Sequence, residues 1–317
     1  MRISVILCTY NRSQSLAKAL TSVAASQLPQ SVEWEVLVVD NNSNDHTREV
    51  VEDFCQRYPG YFRYLFEPLP GKSHALNAGI QQAHADILAF MDDDVTVEPT
   101  WLQNLTAPLT NGEWTGTGGR ILPEQNISLP RWLPRDVSYA AGPLVCFDRG
   151  LQAESLAEPP FGTNMAFQKK MFEKYGGFRT DLGLRPGSEL RGEDTEFGRR
   201  LLDAGERLRY EPSAVVYHSV QPHRIQKKYI LDWWFDKARA DIRTFGFRPG
   251  TRWFAGPIPL YLFRKLAVWT LRWMVAVEPA RRFYCKLNVW TAAGGVLECY
   301  RQSRDAKLAR EKCGIST

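Results

Sequence analysis

Several common signatures are missing from this 317-residue sequence, and each absence closes off a class of function. The six cysteines, Cys8, Cys55, Cys146, Cys285, Cys299 and Cys313, form no CxxC pair and show no zinc-ligand spacing. That excludes a zinc ribbon and a dithiol redox motif, and the expectation is reduced thiols in a cytosolic compartment. Neither G-x-G-x-x-G nor G-x-x-x-x-G-K-[ST] occurs, so neither a dinucleotide fingerprint nor a P-loop is indicated. Gly71-Lys72-Ser73 is only a fragment of the latter and follows Leu69-Pro70 rather than a strand. Met1-Arg2-Ile3-Ser4 runs straight into an apolar strand, which leaves no room for a signal peptide. The uncharged run in the C-terminal part stops at Arg272, far short of the roughly 18–20 residues a membrane span needs.

Acids are scarce in one part of the chain only. Residues 223–317 carry 19 Lys+Arg against 7 Asp+Glu, a net +12, and hold six of the ten Trp. Residues 1–222 carry 21 against 28, a net −7. The split predicts a body over 1–222 and a basic, Trp-rich part over 223–317 that faces something anionic. With 44% apolar and 24% charged residues the chain is compositionally globular, and disorder is not the expectation.

What the body does have is alternation. Residues 2–9, 35–40, 62–67 and 87–91 are apolar runs of strand length. Between them lie helical patterns at 13–23, with Ser13 as cap, at 47–58 and from Gly71 onward. Strands alternating with helices over short loops predict a doubly wound, mostly parallel α/β sheet, which binds ligands beyond the carboxyl ends of its strands. Thr9-Tyr10-Asn11, Asp40 and Asp92-Asp93-Asp94 all fall at such ends. Three adjacent carboxylates left dry and unpaired would repel by several kcal/mol. Asp92 and Asp94, one residue apart, suit Mg²⁺ or Mn²⁺ with phosphate oxygens completing the shell. A solvated acidic turn is the plainer alternative.

Taken together, Ser4 to Arg12, Val38-Val39-Asp40-Asn41-Asn42-Ser43, Gly71-Lys72 through Asn77-Ala78-Gly79, and Phe90-Met91-Asp92-Asp93-Asp94 carry a resemblance. In this order they resemble the signature of family 2 inverting glycosyltransferases with the GT-A fold, of the membrane-associated bacterial type, over about residues 1–220. The resemblance implies that Thr9, Tyr10, Asn11 and Asp40, with Arg12, Asn42 and Asn77 in the same motifs, hold a nucleotide-sugar, a UDP-sugar by preference. It places Lys72 near the diphosphate and makes 92–94 the DxD element. Asp94 is then the metal ligand, and Asp92 or Asp93 reaches ribose or sugar hydroxyls, Asp92 remaining a second metal candidate. Arg120, after Thr115-Gly116-Thr117-Gly118-Gly119, could face the pyrophosphate or be an ordinary surface arginine.

Residues 123–160 show no convincing period and are expected to form a long loop over the site. Phe161 to Phe167 returns to strand character. Leu190 to Leu202 then places Glu193 and Asp194 in the first turn of a helix. Acids are favoured there by the dipole and the free N–H groups, which is a sufficient structural reason for them. They also resemble the family's catalytic Glu-Asp pair, which would make Asp194 the group that accepts a proton. Residues 207–220 read as the last strand of the body, and His218 at its end could be a further metal ligand or a satisfied terminal histidine.

In the basic part, helical patterns occupy 229–245 and 260–277, and 301–312 reads as a polar terminal helix. Trp, Tyr and Phe mixed with Arg and Lys fit a helix lying at a membrane interface, with the enzyme at the inner face of the cell membrane. A soluble helical subdomain or an oligomer contact is the alternative. The long apolar stretches disfavour nucleic acid as the partner. The reading is therefore a metal-dependent inverting glycosyltransferase acting on a hydroxyl acceptor, glycan or lipid-linked. A sugar-phosphate nucleotidyltransferase and a non-catalytic nucleotide-sugar-binding protein are the other candidates.

Overall fold

The structure, a computed structural model, describes residues 1–124, 128–133, 142–186 and 190–312, with side chains described up to residue 306. It divides into two compact units, one of Met1–Asn126, Val145–Ser188 and Glu193–Val220, the other of Ile127–Leu144, Glu189–Gly192 and Gln221–Thr317.

The first unit is built on a nine-stranded sheet. Its strands are β1 (Arg2–Thr9), β2 (Glu33–Asp40), β3 (Phe62–Phe66), β4 (Ile87–Asp92), β5 (Val95–Val97), β6 (Gly116–Pro123), β7 (Glu154–Leu156), β8 (Asn164–Gln168) and β9 (Leu208–His218). The spatial order is β3-β2-β1-β4-β8-β6-β9-β5, with β7 beside β9. The first four strands in space are parallel, as alternation with helices requires. β8 enters antiparallel between β4 and β6, and β6 runs parallel to β9 with a register shift between Gly119 and Arg120. The helices of this unit are α1 (Ser13–Ala24), α2 (Thr47–Arg57), α3 (Lys72–Gln82), α4 (Trp101–Thr106), α5 (Lys170–Tyr175) and α6 (Glu193–Asp203).

The near-continuous apolar runs of the parallel strands follow from burial on both faces. Ile3, Val5 and Leu7 of β1 point to one side with Val36 and Val38 of β2, where α1, α2 and α4 cover them. Ile6, Leu37 and Val39 point to the other side, under α3 and α6. α1 buries Leu16, Leu20 and Val23 on its stripe, each worth about 1.5–3 kcal/mol relative to exposure. Ser13 does not cap α1. It is the first helical residue, and its N–H donates to Asp45 Oδ2 at 3.0 Å, so the cap comes from the next loop. The expected loop over 123–160 is also interrupted, because β7 pairs antiparallel with β9 and Ile121 bridges Phe147. Residues 125–127 and 134–141 of that stretch lie outside the described residues.

The second unit contains α7 (Lys227–Phe245), a hairpin of β10 (Phe254–Ala255) and β11 (Ile258–Pro259), α8 (Leu260–Val275) and α9 (Pro279–Lys312). α9 begins 22 residues before the terminal helix expected at 301. Gly294-Gly295 weakens its helical pattern in the sequence, yet both glycines sit inside the helix. A Cβ on Gly294 would stand 2.2 Å from the Phe235 carbonyl oxygen, so the glycine permits α7 and α9 to touch. Glu298 is fully buried between them, 2.6 Å from Arg243 and 3.4 Å from Arg239.

Candidate active site

Parallel register brings three strand ends level. Thr9 pairs with Asp40 across β1 and β2, and Cys8 pairs with Asp92 across β1 and β4. Asp40 is buried and accepts hydrogen bonds from the Tyr64 hydroxyl at 2.8 Å and the Ser43 N–H at 2.9 Å. Burial and that carboxylate push the Tyr64 hydroxyl up to about 12. The loops after β1 and β2 are stitched together. The Asn11 N–H donates to Ser43 Oγ at 2.9 Å, and Asn11 Oδ1 accepts from the Asn44 N–H at 2.8 Å. Asn11 and Asn42 both adopt left-handed backbone, φ 51° and 66°, which a short amide side chain tolerates. Tyr10 and Asn42 are exposed beside them.

The three acids at the end of β4 have three different environments. Asp92 Oδ1 is 2.7 Å from Lys72 Nζ and its Oδ2 accepts from the Thr163 hydroxyl at 2.6 Å. Asp93 is buried, accepting from the Thr9 hydroxyl at 2.8 Å and from Arg12 at 3.0 Å. Asp94 Oδ2 lies 3.0 Å from the same Arg12 guanidinium and 3.6 Å from His218 Nε2. Burial raises the Asp92 carboxyl, but the Lys72 ammonium outweighs it and holds the group below the ordinary range. Burial, joined by the charges on Asp94 and Asp92, pushes Asp93 up to about 6 despite Arg12. Burial likewise raises the Cys8 thiol behind them, which leaves it inert.

Among the described residues no three His, Cys, Asp or Glu side chains converge into a complete metal cage. Asp94 and His218 nevertheless face one another. His218 is 1% exposed and turns Nε2 toward Asp94, while among the described residues its Nδ1 has no hydrogen-bond partner. The carboxylate fits a hard divalent ion that completes its shell with phosphate oxygens and water, and the imidazole beside it fits Mn²⁺ better than Mg²⁺. Asp92, the other sequence-level ligand candidate, has both oxygens engaged by Lys72 and Thr163. The pairing of His218 with Val95 is what delivers the imidazole, because β5 leaves the acid turn at once and runs along β9.

Glu193 and Asp194 open α6, in the first turn. Glu193 is buried with Oε1 3.7 Å from Lys72 Nζ; burial raises its carboxyl, against the pull of Lys72. Burial alone would lower Lys72, but Asp92 and Glu193 hold its ammonium above the ordinary lysine range. Asp194 Oδ2 accepts from the Gly162 N–H at 2.7 Å, and its Oδ1 from the Thr195 N–H at 2.7 Å. A Cβ on Gly162 would fall 3.0 Å from Asp194 Oδ2, so the close approach favours glycine there. Neighbouring residues Gly162 and Thr163 therefore hold Asp194 and Asp92 respectively, fixing the first acid of the 92–94 run relative to the helix-start acid.

Two residues singled out in the sequence stand outside this network. Arg120 makes a bidentate pair with Asp148, at 2.9 and 2.7 Å, and not with the acid run. Asn77 uses both ends of its amide on the backbone of Phe178, each at 2.8 Å, which pins α3 to the segment after α5. Thr163, Tyr64 and Asn41 join the site although no motif in the sequence marks them as ligands. Asn41 accepts from the Gly71 N–H at 2.7 Å and donates to the Glu67 and Leu69 carbonyls, so it shapes the loop that presents Lys72. A polar Gly-Thr-Asn triplet entering an otherwise apolar strand was the available signal for Thr163.

Known proteins resemble this chain in sequence and in fold. The glucosyl-dolichyl phosphate glucuronosyltransferase of Haloferax volcanii is 27% identical over 239 residues, 74% of this chain and 72% of its own length. The mannosyltransferase PcManGT from Pyrobaculum calidifontis, solved in complex with GDP-Man and Mn²⁺, superposes with a TM-score of 0.56 at 20% identity, covering 97% of this chain and 80% of that one. S. aureus TarS 1–349 in complex with UDP gives a TM-score of 0.51 at 18% identity over 96% and 92% of the two chains. These likenesses identify the sheet and its helices as GT-A-like. The family model described as Glycosyl transferase family 2 matches residues 4–176, more than half of the sequence and all of the strands that carry the acid rim up to β8. The chain belongs to glycosyl transferase family 2.

Proposed function

We propose that the protein is an inverting glycosyltransferase that moves a sugar from a nucleoside-diphosphate donor, a UDP-sugar by preference, to a hydroxyl acceptor on a glycan or a lipid-linked sugar. The observation that carries this reading is the pair of bonds from Gly162 and Thr163, which fixes Asp194 relative to Asp92.

In this mechanism Thr9, Tyr10, Asn11, Asp40 and Asn42 bound the base and ribose, and Lys72 and Arg12 offer positive charge to the diphosphate. Asp94 and His218 would hold Mg²⁺ or Mn²⁺, which when bound supplies charge to the departing diphosphate. Asp194 takes the proton of the acceptor hydroxyl as that oxygen attacks the anomeric carbon from the face opposite the diphosphate. The new carbon–oxygen bond forms while the old one breaks, and its electron pair leaves with the diphosphate. A single displacement of this kind inverts the anomeric centre. The hydrogen bonds on Asp194 aim its carboxylate before substrate arrives, so no reorganisation is needed at the moment of reaction.

The relatives support the class without fixing the donor: one neighbour was solved with GDP-Man and another with UDP. The test is a panel of nucleotide-sugars and free nucleotides with Mn²⁺ or Mg²⁺, scored by thermal shift and then by product analysis, since selective binding to the folded state raises stability. The expected result is a metal-assisted shift with one uridine donor and release of its nucleoside diphosphate. Pyrophosphate release from a nucleoside triphosphate plus a sugar phosphate would overturn the assignment in favour of nucleotidyl transfer.

A further inference from the structure

One side of α8 packs, and the opposite side is apolar and exposed among the described residues. Leu262, Leu266, Trp269 and Trp273 recur at helical spacing on the packed side. There Trp269 meets Tyr284 and Trp273 meets Trp290 of α9, with ring centroids 5.4 and 6.2 Å apart. The opposite stripe runs through Leu260, Phe263, Ala267, Leu271 and Met274, all exposed. Leu271, Met274, Val275 and Val277 are 64, 71, 77 and 91% exposed, and Trp253 at the β10 end of the hairpin is 76% exposed. A water-facing helix side normally carries charged and polar residues, and contiguous exposed apolar surface of this kind marks an interaction site.

Charge around the stripe is mostly of one sign; Glu278, which follows Val277, accepts from the Ala280 and Arg281 N–H groups at the start of α9. Residues 242–277 contain six Lys+Arg and no Asp or Glu. Arg248, Arg252, Arg264 and Arg272 are exposed. Arg248 lies over the Tyr261 ring at 5.1 Å and Arg272 over the Trp269 ring at 4.7 Å, so aromatic faces support these cations. Two copies of the chain meeting through this stripe would set Arg264 and Arg272 against their like. A surface that is apolar inside and anionic at its boundary satisfies both features together. Among the described residues no helix is long and apolar enough to cross a membrane.

We infer that α8, with Trp253 beside it, docks on a bilayer bearing anionic headgroups, its apolar stripe at the acyl boundary and its arginines on the lipid phosphates. This surface is separate from the sugar-transfer reading and is tested without any donor. The full-length protein is floated with vesicles of phosphatidylcholine, with and without phosphatidylglycerol, while sedimentation and thermal midpoint are followed in parallel. Binding is expected on the phosphatidylglycerol vesicles and is weakened by salt. Arg264→Gln and Arg272→Gln should each lower it by about fivefold, the scale of one cation near a charged surface. Leu271→Glu with Met274→Glu should lower it by at least about tenfold at an unchanged thermal midpoint, because both side chains already face outward. Undiminished binding by that double variant, or equal binding to vesicles lacking phosphatidylglycerol, would overturn the inference. A chain that self-associates, ignores vesicles and becomes monomeric on the same double substitution would assign the stripe to a second copy instead.

Discussion

The two compact units sort charge and apolar surface in opposite ways. In the first, apolar side chains fill both faces of the sheet, and the acids collect where the strands end. In the second, Glu298 is sealed between α7 and α9 while Leu271, Met274 and Val277 stand outside. The buried charge of the helical unit is paired with Arg243 and Arg239, although among the described residues Glu298 Oε2 and Arg239 Nε make no hydrogen bond. At the rim three carboxylates share two cations: Asp92, Asp93 and Asp94 meet Lys72 and Arg12, and burial, joined by the neighbouring carboxylates, raises Asp93 to about 6. Crowded acid at a strand end is what a cation or a polyhydroxyl ligand can relieve. A carboxylate shut between two helices against its own arginines is not placed to meet a ligand. Two buried ion pairs of similar distance thus serve different ends.

The comparison is broken most forcefully at Glu298. Glu298→Ala leaves Arg243 without its carboxylate, while Arg239 keeps Asp236 at 2.7 Å, and the expected cost is about 3–5 kcal/mol. Amide exchange in α7 and α9 should accelerate accordingly, with the strands of the sheet left protected. Unchanged exchange in those helices would show that the pair is dispensable. At the rim the counterpart is Asp194→Asn, which keeps the shape and removes the base. A fall of at least about a hundredfold in kcat is expected with donor KM nearly unmoved, and the thermal midpoint drops slightly because the amide nitrogen meets one of the two backbone N–H donors. Full activity in that variant would sink the assignment of the base.

How much of this was legible in the sequence follows from which interactions are local. The strand–helix alternation and the acids at strand ends are periodic features of adjacent residues, and Asp40, Asp92 and Asp194 stand where the pattern put them. Partners set by tertiary register were not legible. Thr163 reaches Asp92 across 71 positions of sequence, and Asn77 reaches Phe178 across 101. Ser13 looked like a cap because a cap is usually local, yet Asp45 does the work from 32 residues away. β7 is three residues long, too short to show a period. The length of α9 was hidden by Gly294-Gly295, since helix propensity counts a glycine's entropy and not the close helix contact it permits.

Thr163 gives a smaller and sharper test of the rim. Thr163→Val removes the hydroxyl that donates to Asp92 Oδ2 and leaves a half-buried carboxylate oxygen short of a partner. Losing such a bond costs about 1–3 kcal/mol. The expected readout is a rise of about tenfold in donor KM at nearly constant kcat, with Thr163→Ser restoring most of it. If kcat fell instead and serine failed to rescue, Thr163 would be touching the reacting sugar and not positioning Asp92.

The smallest effect is expected at Arg120, where two readings compete for one guanidinium. A residue serving the donor diphosphate should lose donor affinity on truncation whatever stands at position 148. A residue serving Asp148 should behave as half of a partly exposed ion pair, whose coupling is typically about 0.2–1 kcal/mol. The bidentate geometry to Asp148 favours the second reading. Arg120→Ala should therefore change kcat/KM by less than about threefold, Asp148→Ala should reproduce the change, and the double variant should add nothing to either. A large loss confined to Arg120→Ala would mean that the guanidinium leaves Asp148 when the donor binds, and the rim would then extend to β6.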